Sequence, residues 1–149
     1  MSNLSHLAKR FVLALDRRKL SQSMIDKVRD LLLPREFELW LNMPLIDQKH
    51  SVLVMRRFLD RLPNAELVAV RASLLHDVGK TKSNLSVCGR VAATIIGSRG
   101  ERFSSYHDHE TIGAQILREI GSDETTWRLV VGESANPEIL QALHEADNI

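Results

Sequence analysis

Apolar residues recur at every third or fourth position along nearly all of this 149-residue chain, and no stretch alternates with the period of two that a half-buried strand requires. That patterning confines the chain to an all-α architecture. Residues 4–16 place Leu4, Leu7, Phe11 and Leu15 on one helical face. Ser21 reads as the N-cap of a helix that runs to about Leu33 and is stopped by Pro34, and a short segment over 35–42 ends at Pro44. Residues 47–62 carry Val52, Met55, Leu59 and Leu62 on one stripe. After a turn at Pro63-Asn64, residues 65–76 carry Leu67, Val70, Leu74 and Leu75. Gly79 breaks that pattern and is expected to free the backbone to turn. Further helices are expected over 85–96, from Ser105 or Asp108 to a C-cap at Gly121, from Ser122 to Gly132, and from Pro137 to about Asp147. Short loops without an internal repeat point to a compact single-domain helical bundle over 1–149, not a solenoid.

Composition removes several function classes. An apolar fraction of 44% suits a soluble domain with a real core. With 20 Lys and Arg against 19 Asp and Glu, the net charge of +1 argues against a nucleic-acid binder held by bulk charge. No apolar run approaches the roughly 18 residues of a membrane span. Residues 1–9 mix polar and apolar side chains, unlike an export leader. Cys88, the single cysteine, cannot form an internal disulfide. A cytoplasmic protein without a membrane or nucleic-acid partner is the expectation. The charge is nevertheless uneven. The basic surplus over 1–30 reads as solvated helix faces, whereas residues 78–102 set five basic side chains against Glu101 alone. That second surplus directly follows the most distinctive stretch of the chain.

Four ionisable side chains stand where helical packing calls for apolar ones. His50 opens the helix over 47–62, one turn before Leu53 and Val54. His76 and Asp77 close the next helix, Asp77 lying three residues after Leu74 and seven after Val70. Asp147 falls four residues after Leu143 and seven after Leu140, on the inner stripe of the last helix. A lone buried carboxylate costs several kcal/mol unless paired or metal-bound. Two imidazoles and two carboxylates on three inward faces are therefore best explained by one shared divalent cation. The doublet sits in Leu74-Leu75-His76-Asp77-Val78-Gly79-Lys80, so an apolar helix end delivers imidazole and carboxylate side by side, with the Lys80 cation in reach.

This heptapeptide resembles the central motif of the HD superfamily of metal-dependent phosphohydrolases, all-helical proteins with an earlier His, a His-Asp pair and a distant Asp. His50, His76-Asp77 and Asp147 match that order. The segment Tyr106-His107-Asp108-His109-Glu110-Thr111-Ile112-Gly113-Ala114 is similar to the stretch in which many members place a further His, and His109 is the matching imidazole. The likeness covers 47–147, and the helices of 1–45 carry no matching motif. Members with two or more metals commonly place another His before the final Asp. Residues 131–136 here read Val-Gly-Glu-Ser-Ala-Asn, so a single metal is favoured.

The mixed nitrogen and oxygen donors suit Mn²⁺, Fe²⁺, Co²⁺, Ni²⁺ or Zn²⁺, and no thiolate biases the set toward structural zinc. In this reading Asp77 orients a water or takes its proton, and Lys80 binds the phosphate together with Arg90, Arg99 or Arg102. His109 binds substrate, protonates the leaving oxygen or holds a second ion weakly. The expected activity is hydrolysis of a small phosphorylated substrate such as a nucleotide. The competing reading is a regulatory HD module that binds metal or a nucleotide without turnover.

Overall fold

Helix α1 (Gln22–Leu31) starts at Ser21, whose Oγ accepts a hydrogen bond from the Met24 amide at 3.3 Å, the N-cap arrangement expected from the sequence. The structure, a computed structural model, describes residues 18–80 and 108–148. The helices expected over 4–16 and 85–96 lie outside these residues, as do Cys88, Arg90, Arg99 and Arg102. Among the described residues every regular element is helical, in agreement with the all-α expectation. None of these helices is long and apolar enough to cross a membrane.

Two prolines start helices as well as ending them. Pro34 occupies the first turn of α2 (Pro34–Leu41), where its missing N–H loses nothing. Pro44 is the N-cap of α3 (Leu45–Arg61). The short segment expected near 35–42 is thus a true helix, held at both ends by side chains. At its start the Leu33 amide donates to Glu36 Oε2 at 2.9 Å, and at its end Gln48 Nε2 donates to the carbonyls of Trp40, Leu41 and Met43 at 3.0–3.1 Å. Trp40, fully buried, donates its indole N–H to Ser51 Oγ at 2.8 Å and so pins α2 to α3.

The centre of the molecule is α4 (Leu67–Leu75), in which Ala69, Val70, Ala72, Ser73, Leu74 and Leu75 are all buried. A helix apolar on nearly every side must be surrounded, and α4 packs against α3 on one flank and α6 (Glu124–Val130) on the other. α3 also packs along α7 (Pro137–Asp147). Arg71 on α4 links three further elements. Its Nε donates to the Leu31 carbonyl at 2.8 Å, and one terminal nitrogen donates to Asp123 Oδ2 at 2.8 Å. Its charge also faces the buried Glu36 carboxylate at 3.8 Å. Asp123 rather than Ser122 precedes α6, with its carboxylate turned to Arg71 instead of capping the helix.

α4 ends where the periodicity predicts. His76 is its C-cap, and Val78–Lys80 forms a 3₁₀ turn that packs against α5 (Asp108–Glu119). The role expected for Gly79 changes accordingly. Its φ is not positive, so no special turn is required of it. A β-carbon there would collide with the His109 carbonyl oxygen and stand 2.6 Å from the Gly113 amide nitrogen. Gly79 is needed for a close backbone approach to α5. Gly121, by contrast, does adopt φ +86, and the Ser122 amide reaches back to the Leu117 carbonyl at 2.9 Å, the C-cap predicted for it.

Candidate metal centre

The packing of α3 on both α4 and α7 brings three distant segments to one spot. His50 comes from the second turn of α3 and is 8% exposed. The His76 ring is set by its Nδ1–H, which donates to the Ser73 carbonyl at 2.8 Å, so its Nε2 is aimed away from α4. Asp77 follows on the turn and is 3% exposed. Asp147 is the last residue of α7. The inner stripe expected for Asp147 belongs to its neighbour Ala146, which is fully buried, while the Asp147 side chain is 44% exposed. The carboxylate therefore sits at the rim of the cluster.

Donor atoms of His50, His76 and Asp147 all lie within 4.8 Å of one another. The His50 Nε2–H donates to Asp147 Oδ1 at 2.8 Å, and the same oxygen stands 3.4 Å from His76 Nε2. Asp77 flanks this trio, its Oδ2 lying 3.4 Å from His76 Nε2 and 3.8 Å from His50 Nε2. Its Oδ1 pairs with Lys80 Nζ at 2.8 Å. Donors that share one first-row ion at bond lengths of about 2.0–2.2 Å lie at most about 4.4 Å apart, a spacing close to that of the trio.

Two further observations fit a cation. His76 Nε2 is buried and has no hydrogen-bond partner, although two carboxylate oxygens stand near it. A buried polar atom without a partner is costly, and an ion between those groups removes the cost. The electrostatics agree. Burial opposes a charge on His76, yet Asp147 and Asp77 override it and push its pKa up to about 10. Burial would raise both carboxyls. His76 and Lys80 nevertheless hold Asp77 well below the usual carboxylate range, and His50 and His76 do the same for Asp147. The pocket thus favours positive charge at Nε2, as a proton or as a metal.

The structure brings together His50, His76, Asp77, Asp147 and Lys80. His109 stands in the first turn of α5, its carbonyl against Gly79. The other residues expected to bind substrate, Arg90, Arg99 and Arg102, lie outside the described residues. The sequence pattern gives no role to three further side chains near the centre, His144 among them because it comes too late to match the further His of multi-metal members. Asp47, one turn before His50, has its pKa raised by burial and by the charge of Asp77. Glu110 and His144 line a pocket together with His76 and Asp147. Glu110 lies within the motif segment, beside His109, so its position was in view; the other two carry no pattern of their own.

Asp147 is held firmly despite its exposure. Arg57 on α3 donates to the carbonyls of Glu145 and Asn148 at 3.4 and 3.3 Å, and Arg61 pairs with the Glu145 carboxylate. These contacts fix the residues on both sides of the ligand.

A family model for the HD domain matches residues 49–147, a span that opens one residue before His50 and closes on Asp147. No curated protein and no solved structure matches the chain.

Proposed function

The chain belongs to the HD domain family, and from that premise we propose that it is a metal-dependent phosphohydrolase acting on a small phosphorylated substrate such as a nucleotide. The observation that carries the reading is the buried Nε2 of His76, which forms no hydrogen bond but faces the carboxylates of Asp77 and Asp147, each at 3.4 Å. His50, His76 and Asp147 would hold the ion, with Asp77 beside them. A divalent ion bound there supplies Lewis-acid polarisation of a phosphoryl group and acidifies water.

The protein's own groups divide the remaining work. The Ser73 carbonyl and the Arg57 clamp keep His76 and Asp147 from turning away. Asp77, held ionised by His76 and Lys80, accepts hydrogen bonds and orients the attacking water. Lys80 keeps its side chain 39% exposed, so its ammonium can swing from Asp77 Oδ1 to a phosphate oxygen and offset charge that develops there.

Purification without chelator, followed by elemental analysis, should find close to one first-row transition ion per chain. His76→Ala and Asp147→Ala should each remove it, and metal content unchanged in both variants would refute the site. Asp77→Asn should abolish Mn²⁺-dependent phosphate release from phosphomonoesters, phosphodiesters and nucleotides while a folded protein remains. The second reading is a module that binds a phosphorylated ligand at the same cluster without turnover. Ligand-induced stabilisation with no phosphate release across that panel would establish it.

A further inference from the structure

We propose that the pocket beside the metal cluster receives the uncharged part of the substrate, a group bearing one planar ring with a hydrogen-bond donor on its edge, and that Glu110 reads that donor. The inference rests on the phosphohydrolase reading and extends it to the substrate's chemical class. His76 and Asp147 form one end of the pocket, so whatever fills it adjoins the reacting group directly. Asp77 and Lys80 lie outside it. The cluster therefore has a cationic approach on the Lys80 side and an apolar recess on the other.

Val54, Ala72, Leu129, Val130, Leu140 and Leu143 supply most of the recess wall. They come from α3, α4, α6 and α7, packed elements that preorganise the shape. Such walls favour an apolar group. His76 and Asp147 hold the ion at one end of the recess, so the phosphoryl group belongs there, between the ion and Lys80, and the apolar walls with Glu110 and His144 are left for the rest of the substrate. Size narrows the occupant further. The recess is open on one side and offers about 150 Å³, about the room that a benzene-sized ring takes up. Glu110, in the first turn of α5, is half-buried, and its carboxylate can only accept a hydrogen bond, so the matching ring edge must donate one.

Benzylphosphonate and methylphosphonate share the phosphoryl head and resist hydrolysis, so calorimetry with the Mn²⁺-loaded protein isolates the ring. Benzylphosphonate should bind roughly tenfold or more tightly than methylphosphonate, and its naphthylmethyl counterpart should lose that gain. (4-Aminobenzyl)phosphonate should bind severalfold tighter again, and Glu110→Ala should cancel this second gain only. Leu143→Trp, which fills the recess from half-buried α7, should abolish ring preference while metal content and methylphosphonate affinity stay unchanged. Ala72→Leu tests the opposite wall if the first variant fails to fold. Absence of ring preference, whether both phosphonates bind equally or neither binds, overturns the proposal. Phosphate release is scored separately. Ring preference without turnover of any ester upholds the recess and refutes the hydrolase reading, whereas turnover without ring preference refutes the recess alone.

Discussion

At the scale of single residues, the chemistry turns on what occupies His76 Nε2. Without metal the raised pKa, about 10, keeps a proton there at neutral pH, and the ordinary value in an unfolded chain is about 6.5. A folded-state pKa above the unfolded one means that the contribution of His76 to stability is complete below about pH 6.5 and is lost as the pH rises toward 10. Asp77 and Asp147 are shifted the opposite way, so their contributions are complete above their ordinary value of 3.8 and are lost on acidification. Chelator-treated protein should therefore show its greatest contribution from this cluster between about pH 4 and 6.5, measured as a denaturation midpoint across pH. Metal requires a neutral imidazole. Titration of the chelated protein with Mn²⁺ at pH 7, in buffers of differing ionisation enthalpy, should release close to one proton per ion from His76, and release of none would contradict the arrangement. His50, His76 and Asp77 were legible in the sequence because each interrupts an apolar stripe; Asp147, which sits at the rim beside the buried Ala146, was legible only through its place in the HD-like pattern. Asp47, Glu110 and His144 were given no role, because their importance arises from the packing of helices remote in sequence.

At the scale of elements, two contacts place the ligands, and neither has a local signature. The first is the approach of the Val78–Lys80 turn to α5, where Gly79 meets the His109 carbonyl and the Gly113 amide. Glycine at position 79 was read as a turn former, since a break in helical periodicity looks the same whether the backbone needs freedom or merely needs the absence of a side chain. Gly79→Ala should destabilise the fold by about 3 kcal/mol, since backbone rather than a flexible side chain must give way. Gly113→Ala should cost about 1 kcal/mol, because its added carbon would meet its neighbours at 3.2–3.5 Å. Equal effects of the two in urea denaturation would show that the approach is not the constraint. The second contact is the Arg57 clamp on the carbonyls of Glu145 and Asn148. Arg57→Ala should weaken Mn²⁺ affinity about tenfold, as losses of ligand-orienting groups do, with little change in the stability of the chelated protein. Helix existence, the Ser21 cap and the Gly121 cap could be read directly because they depend on neighbours in sequence. The 3₁₀ turn that follows α4 could not, because its packing against α5 decides it.

At the scale of the whole molecule, the donor trio spans nearly all of the HD domain match, from His50 near its start to Asp147 at its end. The elements that carry it are not independent. α3 packs on α4 and α7, α4 packs on α6, and Arg71 ties α4 back to α1, α2 and the start of α6. An ion held by His50, His76 and Asp147 therefore bridges segments that separate only when the bundle itself opens, and its binding energy adds to global stability. An ion present at one hundred times its dissociation constant stabilises the native state by about 2.7 kcal/mol. A domain of this size shifts its midpoint by roughly 2–4 °C per kcal/mol. Mn²⁺ at that excess should thus raise Tm by about 5–10 °C in a single cooperative transition, and EDTA should reverse the rise. His50→Ala and Asp147→Ala should lose the shift alike, although one residue is buried and the other sits at the rim. A shift retained in either variant would mean that the ion is held elsewhere. A second, separate transition that responds to Mn²⁺ would mean that the ligand-bearing helices unfold apart from the core.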